Sequence, residues 1–390
     1  GDMDLYVVSG GYLFQDKDPL LQDRLYLNDG KGNFMRSSES LPVEPLAGSC
    51  VVAIDVYNDN DLDLFVGTRL TPGNYPISSP NMLLINDGSG NFNDETIQRS
   101  PSMQNLGMVC DAVVEDVNKD GKQDLIVVGE WMPIKIYINS DNTLVDESEK
   151  WIYKPTSGWW NSIIAEDFDQ DGDMDFIAGN YGSNNQFGAS SSHPVTLTFK
   201  DFNQDGQVDP FLSYYIGEQS FPFASRDEAL GQVNFLRQRF PDYTSYSTAT
   251  LGSIFTKQEL ENTSQLEAQL LRTVLLENVN GKFEIRELPI QAQFAPVYAI
   301  STIDVDHDGD QDLVLGGNES MVRVRMGKSD ANRGVLLLNE GNSHFSYVHQ
   351  SKSGLNFTGD VRQLLSISTK NKTHLMLGEI GQYIKSYELN

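Results

Sequence analysis

Residues 116–129 read DVNKDGKQDLIVVG, and the order of their chemistry decides how the chain folds. Oxygen-bearing side chains stand at positions 1, 3, 5 and 9 (Asp116, Asn118, Asp120 and Asp124), a glycine at position 6, and an apolar run begins at once after Asp124. Alternating oxygen donors with a closing carboxylate are what a hard cation such as Ca²⁺ requires. The glycine lets the backbone turn sharply, so that the position-7 carbonyl of Lys122 can also face the ion. The arrangement recurs as DFDQDGDMD (167–175), DFNQDGQVD (201–209) and DVDHDGDQD (304–312), and more loosely as DVYNDNDLD (55–63). A single copy reads equally well as an ordinary Asp-Gly hairpin turn. Four full copies and one degenerate copy, each feeding a similar strand, read as calcium loops.

The expected ligands of the other full loops are Asp167, Asp169, Asp171, Asp173 and Asp175; Asp201, Asn203, Asp205, Gln207 and Asp209; and Asp304, Asp306, Asp308, Asp310 and Asp312. The Asp55 loop offers only Asp55, Asp59 and Asp63, because Tyr57 stands at position 3 and Asn60 replaces the glycine. Asn tolerates the left-handed conformation better than most residues, so a weaker fifth site is expected there. Asp2 and Asp4 are all that remains of a partial loop at the start of the chain, which is expected to be empty.

The residues beyond each loop rule out the EF-hand. That motif needs Glu at position 12 and then a helix; here position 12 is Val127, Ala178 and Leu315, inside the runs LIVVG, FIAGN and LVLGG. Apolar runs also precede the loops, so each loop joins two strands of a hairpin. A second hairpin type, RLYLNDGKGNF (24–34) and MLLINDGSGNF (82–92), returns more loosely at 274–283 and 335–345. Two hairpins per repeat give four strands, and the loops at 55 and 116 are 61 residues apart, which indicates a propeller or related array.

These Asp-rich loops, the D-L-x-V-G strands after them and the LxLNDGxGxF hairpins resemble the FG-GAP/VCBS repeat family. The resemblance implies an all-β, calcium-stabilised β-propeller outside the cytoplasm, and a binding or adhesion module with a protein or glycan partner. Counting the repeats gives seven blades of four antiparallel strands in a single domain over 1–390. The first blade is truncated at the N-terminus and Gly1 is read as internal to a longer polypeptide. The spacing from Asp201 is irregular, 34 residues from the loop before it and 103 to the loop after. The Asp201 loop is therefore read either as a blade of its own or as the outer hairpin of the fourth. Residues 217–270 are a helical insertion: Ser225 is a plausible N-cap, Leu230, Val233, Leu236 and Phe240 fall at helical spacing, Pro241 ends that helix, and Thr256 opens another.

Composition narrows the partners. The net charge of −27 disfavours nucleic acid, whose phosphates need clustered Lys and Arg. Much of that charge sits in the loops, where five Ca²⁺ ions would offset about ten charges. No run of eighteen apolar residues is present, so no membrane span is expected. Cys50 and Cys110 read as buried free thiols at equivalent strand positions. None of the five histidines falls in a catalytic motif, and no enzyme signature occurs. The residues left over for a binding surface are Trp131, Trp151, Trp159, Trp160 and the run GNYGSNNQFG (179–188), with core packing as the default reading. An enzyme on a propeller scaffold and a purely architectural spacer remain as alternatives.

Overall fold

The computed structural model describes residues 2–369 and 372–389, so Gly1, Lys370, Asn371 and Asn390 lie outside the described residues. Strands dominate, and all the sheet pairings are antiparallel. The second sheet shows the plan: Gly48–Ile54, Asp63–Thr68, Met82–Asn86 and Phe92–Asp94 pair as a meander in chain order. The third (Met108–Glu115, Asp124–Met132, Lys135–Ser140, Thr143–Asp146) repeats it and adds a fifth strand, Gly158–Trp159, against Asp124–Met132; the fifth (Val297–Ile303, Asp312–Gly317, Val335–Asn339, Phe345–Val348) repeats it with four. The first sheet has three strands (Leu5–Val7, Arg24–Asn28, Phe34–Ser37), as does the sixth (Val361–Ser368, Thr373–Glu379, Lys385–Leu389).

The fourth sheet departs from the sequence reading. Its first hairpin, Ser162–Glu166 with Asp175–Gly179, pairs with Val274–Asn278 and Phe283–Glu287, nearly a hundred residues further on. The Asp201 loop is not in that outer hairpin. It joins Val195–Lys200 to Asp209–Ile216 in a sheet of its own, completed by Gln219–Pro222 and Ser264–Ala268. This sheet is inserted between the second and third strands of the fourth, which accounts for both irregular spacings. The expected count of seven is reached only by including the inserted sheet.

The apolar runs after the loops are explained by burial on both faces. In Asp124–Met132, Leu125 and Val127 pack toward the second sheet, while Ile126 and Val128 pack toward the fourth. In Asp312–Gly317, Leu313 and Leu315 face the fourth sheet and Val314 faces the sixth. Side chains alternate across a strand, so a strand between two others must be apolar throughout. Each core is thus a layer between consecutive sheets.

The glycine closing the D-L-x-V-G strands has a steric reason. A Cβ on Gly129 would stand 2.1 Å from the Met108 carbonyl oxygen, and one on Gly317 1.7 Å from that of Pro296. At the same places the first hairpins bulge, between Val109 and Asp111 and between Val297 and Ala299. The bulge brings the neighbouring backbone against the strand end, and only glycine leaves room.

Within 217–270, both ends are strand and the helices are short: Arg226–Gln232, Leu236–Arg239, Tyr243–Tyr246 and Leu251–Ile254. Ser225 caps the first with a full capping box to Glu228. The expected single helix to Phe240 breaks at Val233, whose backbone is extended at φ −126° and ψ 91°. Thr256 makes capping-box bonds to Glu259, but they close only a turn. Leu230, Val233, Leu236 and Phe240 pack with Phe211 and Phe255, so the helices cover the inserted sheet.

Candidate functional site

All five loops adopt one backbone form. Position 4 is left-handed in each, at Asn58, Lys119, Gln170, Gln204 and His307 (φ 55° to 64°). Position 6 is left-handed too, at Asn60 (φ 69°), Gly121, Gly172, Gly206 and Gly309. The degenerate Asp55 loop therefore has the same turn as the others, because Asn tolerates that region at position 6. Its Tyr57 is turned away under the Arg99 guanidinium, 4.7 Å from the ring centre, and brings no oxygen to the loop.

Hydrogen bonds hold each loop's carboxylates inward. The Gly121 N–H donates to Asp116 Oδ2 at 2.8 Å, and the Lys122 N–H to Asp120 Oδ1 at 2.9 Å. Gly206 donates to Asp201 and Gln207 to Asp205 in the same way. Gly172, Asp173, Gly309 and Asp310 repeat the pattern toward Asp167, Asp171, Asp304 and Asp308. In the loops beginning at Asp116 and Asp201, position 3 is Asn118 or Asn203, and its amide also donates to Asp120 or Asp205.

The structure brings carboxylates closest together in two loops. Oxygens of Asp167, Asp169 and Asp175 lie within 4.8 Å of one another, as do those of Asp304, Asp306 and Asp312. Asp167 Oδ1 and Asp304 Oδ1 are buried and have no hydrogen-bond partner. A buried carboxylate oxygen without a donor costs free energy unless a cation faces it. The residues thus fit a bound Ca²⁺, which would be held by carboxylate and carbonyl oxygens alone.

The closing aspartates are the most buried members. Burial pushes Asp175 up to about 7 and Asp124 up to about 6, and raises Asp63, Asp209 and Asp312 in the same direction. Four of them are also structural bridges, whereas Asp209 accepts from Phe202 N–H within its own loop. Asp124 accepts from Val117 N–H within its loop (3.1 Å) and from Asn139 N–H on the third strand (2.8 Å). Asn86, Asn278 and Asn339 donate likewise to Asp63, Asp175 and Asp312. Asp4 accepts from Asn28 N–H at 2.8 Å in the first sheet.

Sequence reasoning noticed the LND hairpins but missed what their asparagine does. The Asn139 amide donates to the Val56 carbonyl in the neighbouring sheet's loop at 3.0 Å, and Asn339 to the Phe168 carbonyl at 2.8 Å. Its recurrence as Asn86, Asn139, Asn278 and Asn339, at or next to the end of the third strand in the second to fifth sheets, was the available signal. Further side chains join loop to loop: Gln123 accepts from Asp55 N–H (2.7 Å), and Gln170 donates to the Gly309 carbonyl (3.0 Å). The Lys119 ammonium lies 3.9 Å from an Asp173 carboxylate oxygen, so the loops at 55, 116, 167 and 304 form one linked series. The Asp201 loop stands apart on the inserted sheet, where Asn203 bonds the Gln232 carbonyl of the first insertion helix.

The tryptophans divide. Trp151 and Trp160 belong to the core between the third and fourth sheets. Trp131 and Trp159 pack with Phe187, Val195, Leu197 and Phe223 in a cluster shared with the inserted sheet. Cys50 and Cys110 are free thiols, both partly buried, and burial pushes Cys50 up to about 12. Among the described residues no helix is long and apolar enough to cross a membrane.

Residues 116–178 match the model of the FG-GAP-like repeat. Among curated proteins nothing matches. Among solved structures the chain is similar to a lectin of Agrocybe aegerita that recognises non-reducing terminal N-acetylglucosamine, at 11% identity and TM-score 0.33, covering 94% of this chain and 88% of that one. It is also similar to the V. cholerae biofilm matrix protein Bap1, at 8% identity and TM-score 0.31, covering 94% of this chain and 73% of that one. Similarities of that size carry no inference to this chain. The matched segment holds the Asp116 and Asp167 loops with the strands between them, and the chain therefore carries an FG-GAP-like repeat over residues 116–178.

Proposed function

We propose that the chain is a calcium-stabilised binding module of the β-propeller type, working outside the cytoplasm on a protein or glycan partner. The observation that carries this reading is the five-fold repetition of one loop form, with carboxylates turned inward and the loops bonded to one another. The six successive sheets act as blades, and the inserted sheet with its helices is an accessory to the fourth. Calcium occupies the loops beginning at Asp116, Asp167, Asp201 and Asp304, and more weakly the Asp55 loop. Extracellular sites of this kind bind at roughly 10⁻⁴ to 10⁻³ M, far above cytoplasmic calcium, so the loops fill only outside the cytoplasm. The ions are structural: without them several carboxylates crowd together and the hairpins fray. The role is binding and not catalysis, in keeping with the lack of a catalytic motif in the sequence.

Metal-stripped protein titrated with Ca²⁺, with bound metal counted by mass spectrometry and melting followed in parallel, tests the reading. Four or more ions per chain and a melting temperature rising over the same concentration range are expected. Fewer than two ions, or a melting curve indifferent to calcium, overturns it.

A further inference from the structure

A cavity of about 890 Å³ lies where the ends of the second, third, fourth and fifth sheets meet the inserted sheet. Its wall is formed by the strand ends opposite to the linked metal loops: Arg69, Glu130, Tyr181 and Glu319 each lie just beyond the glycine of a D-L-x-V-G strand. The Asp201 loop is the exception among the loops, since it reaches the cavity through Asp205, Gln207 and Asp209. Pre-formed sites for small ligands have volumes of roughly 300–1,000 Å³, whereas protein partners dock on flatter surfaces of about 800 Å² per side. The size suits a small ligand or the end of a chain-like one.

Three observations at this cavity bear on what it can hold. Three of its lining residues carry a buried side-chain nitrogen without a hydrogen-bond partner: Arg69 Nε, Trp159 Nε1 and Asn161 Nδ2. Trp159 is itself only 8% exposed. Trp131 has φ +60°, a conformation that bulky residues avoid. It is fixed by its indole N–H, which donates to Tyr75 Oη at 2.7 Å, and by edge contact with Trp159 at 5.0 Å between ring centres. Tyr298 is the residue left out of register by the bulge in the fifth sheet. Its hydroxyl donates to Glu319 at 3.0 Å, and the Arg362 guanidinium lies 3.8 Å from its ring centre.

Deepening the proposed binding role, on which this step rests, we infer that the cavity takes the terminal one or two rings of a neutral glycan. The lining offers guanidinium and hydroxyl donors, carboxylate acceptors and aromatic walls together. A sugar hydroxyl is both donor and acceptor, and the C–H face of a pyranose packs on an aromatic ring. An apolar ligand would desolvate the Glu130, Glu228 and Glu319 carboxylates without replacing water's hydrogen bonds. An anion is disfavoured because the Glu130, Glu228 and Glu319 carboxylates line the cavity against Arg69, itself paired with Glu130, and Arg323, in a chain of net charge −27. The second cavity, of about 560 Å³ beside Lys154 and Arg272, has no tryptophan or tyrosine in its lining.

The test is saturation-transfer NMR and calorimetry on calcium-loaded protein with a panel of neutral hexose and N-acetylhexosamine di- and trisaccharides. Uronate-containing disaccharides and a random peptide pool are run beside it. At least one neutral sugar is expected to bind. Asn161→Ala should weaken it tenfold or more with an unchanged melting temperature, while Lys154→Ala leaves it unaltered. Tyr75→Ala should also weaken it tenfold or more, with a lowered melting temperature because the Trp131 indole N–H loses its acceptor. If no neutral sugar binds, if the uronates or peptides bind in its place, or if Tyr75→Ala and Asn161→Ala bind as the parent does, the inference fails. Metal content is measured on the same samples. Loops without calcium would overturn the calcium reading, while sugar bound in the cavity would still stand.

Discussion

Removing the Asn139 amide isolates the contribution of the ties between sheets from that of metal. Asn139 is 1% exposed, and its amide supplies the hydrogen bond drawn by the Val56 carbonyl across the sheet boundary. Asn139→Ala leaves that carbonyl buried beside a methyl group, with no room gained for bulk water. Stranding a buried acceptor costs about 1–3 kcal/mol. Asn339→Ala strands the Phe168 carbonyl in the same way and also loses the bond from Gly341 N–H to Oδ1, whereas the Asn139 Oδ1 has no partner, so it should cost more than Asn139→Ala. Asn86→Ala is the internal control: its amide reaches the Leu62 carbonyl at 3.3 Å and its Oδ1 accepts from Gly88 and Gly90 N–H in a surface turn, where water can replace these bonds, so the loss should stay below about 1 kcal/mol. The two costly sites tie different pairs of sheets and share no partner, so the double variant should add within about 0.5 kcal/mol. Urea unfolding with calcium and with EDTA measures all four proteins. None of the three side chains is an expected ligand, so the losses should be similar in both conditions. If Asn86→Ala costs as much as Asn139→Ala, or if all losses vanish in EDTA, the account of these asparagines as ties is wrong.

Chelation should remove roughly 1.4 kcal/mol for each site held at about tenfold saturation, or about 5–6 kcal/mol for four independent sites, seen as a marked fall in melting temperature with EDTA. Asp120→Ala should lower stability in calcium by about one site's share and change little in EDTA, because the Lys122 N–H that Asp120 holds is exposed and can turn to water. Burial pushes Asp111 up to about 6 from its ordinary 3.8, although Ile163 and Ala112 N–H groups donate to it. Its charged form is therefore penalised in the folded state above about pH 6, and the penalty fades as pH falls toward 4. The metal-free parent should gain stability over that fall relative to Asp111→Asn, in paired chemical melts; a constant difference across the range would count against it. Gly317→Ala should destabilise by about 1–3 kcal/mol or more, since its Cβ meets the Pro296 carbonyl, whereas Gly309→Ala meets no neighbour and loses only the left-handed turn.

The sequence by itself determined the unit of construction. An oxygen donor at every second position, a glycine at the turn and an apolar strand beyond are local chemistry, so the loops at 116, 167, 201 and 304 were legible from spacing alone. The two hairpin types that alternate around the sheets were equally legible, down to the phenylalanines that open Phe34–Ser37, Phe92–Asp94, Phe283–Glu287 and Phe345–Val348. Continuous apolar runs also announced burial on both faces. Which strands pair was another matter. The loop at Asp201 is as well formed as its neighbours, and nothing in its residues says that Asp175–Gly179 bypasses it to pair with Val274–Asn278. Pairing between distant strands is decided by which apolar faces can be covered at once, and that is a property of the assembled layers. The same holds for the cavity. Trp131 and Trp159 read as core from sequence, and they are buried. Only the meeting of the inserted sheet with four strand ends sets them beside Tyr75, Asn161 and Tyr298, with nitrogens left unpaired. Local chemistry writes the Asp-rich loops into the chain, whereas a cavity made from five sheets exists only once those sheets have packed.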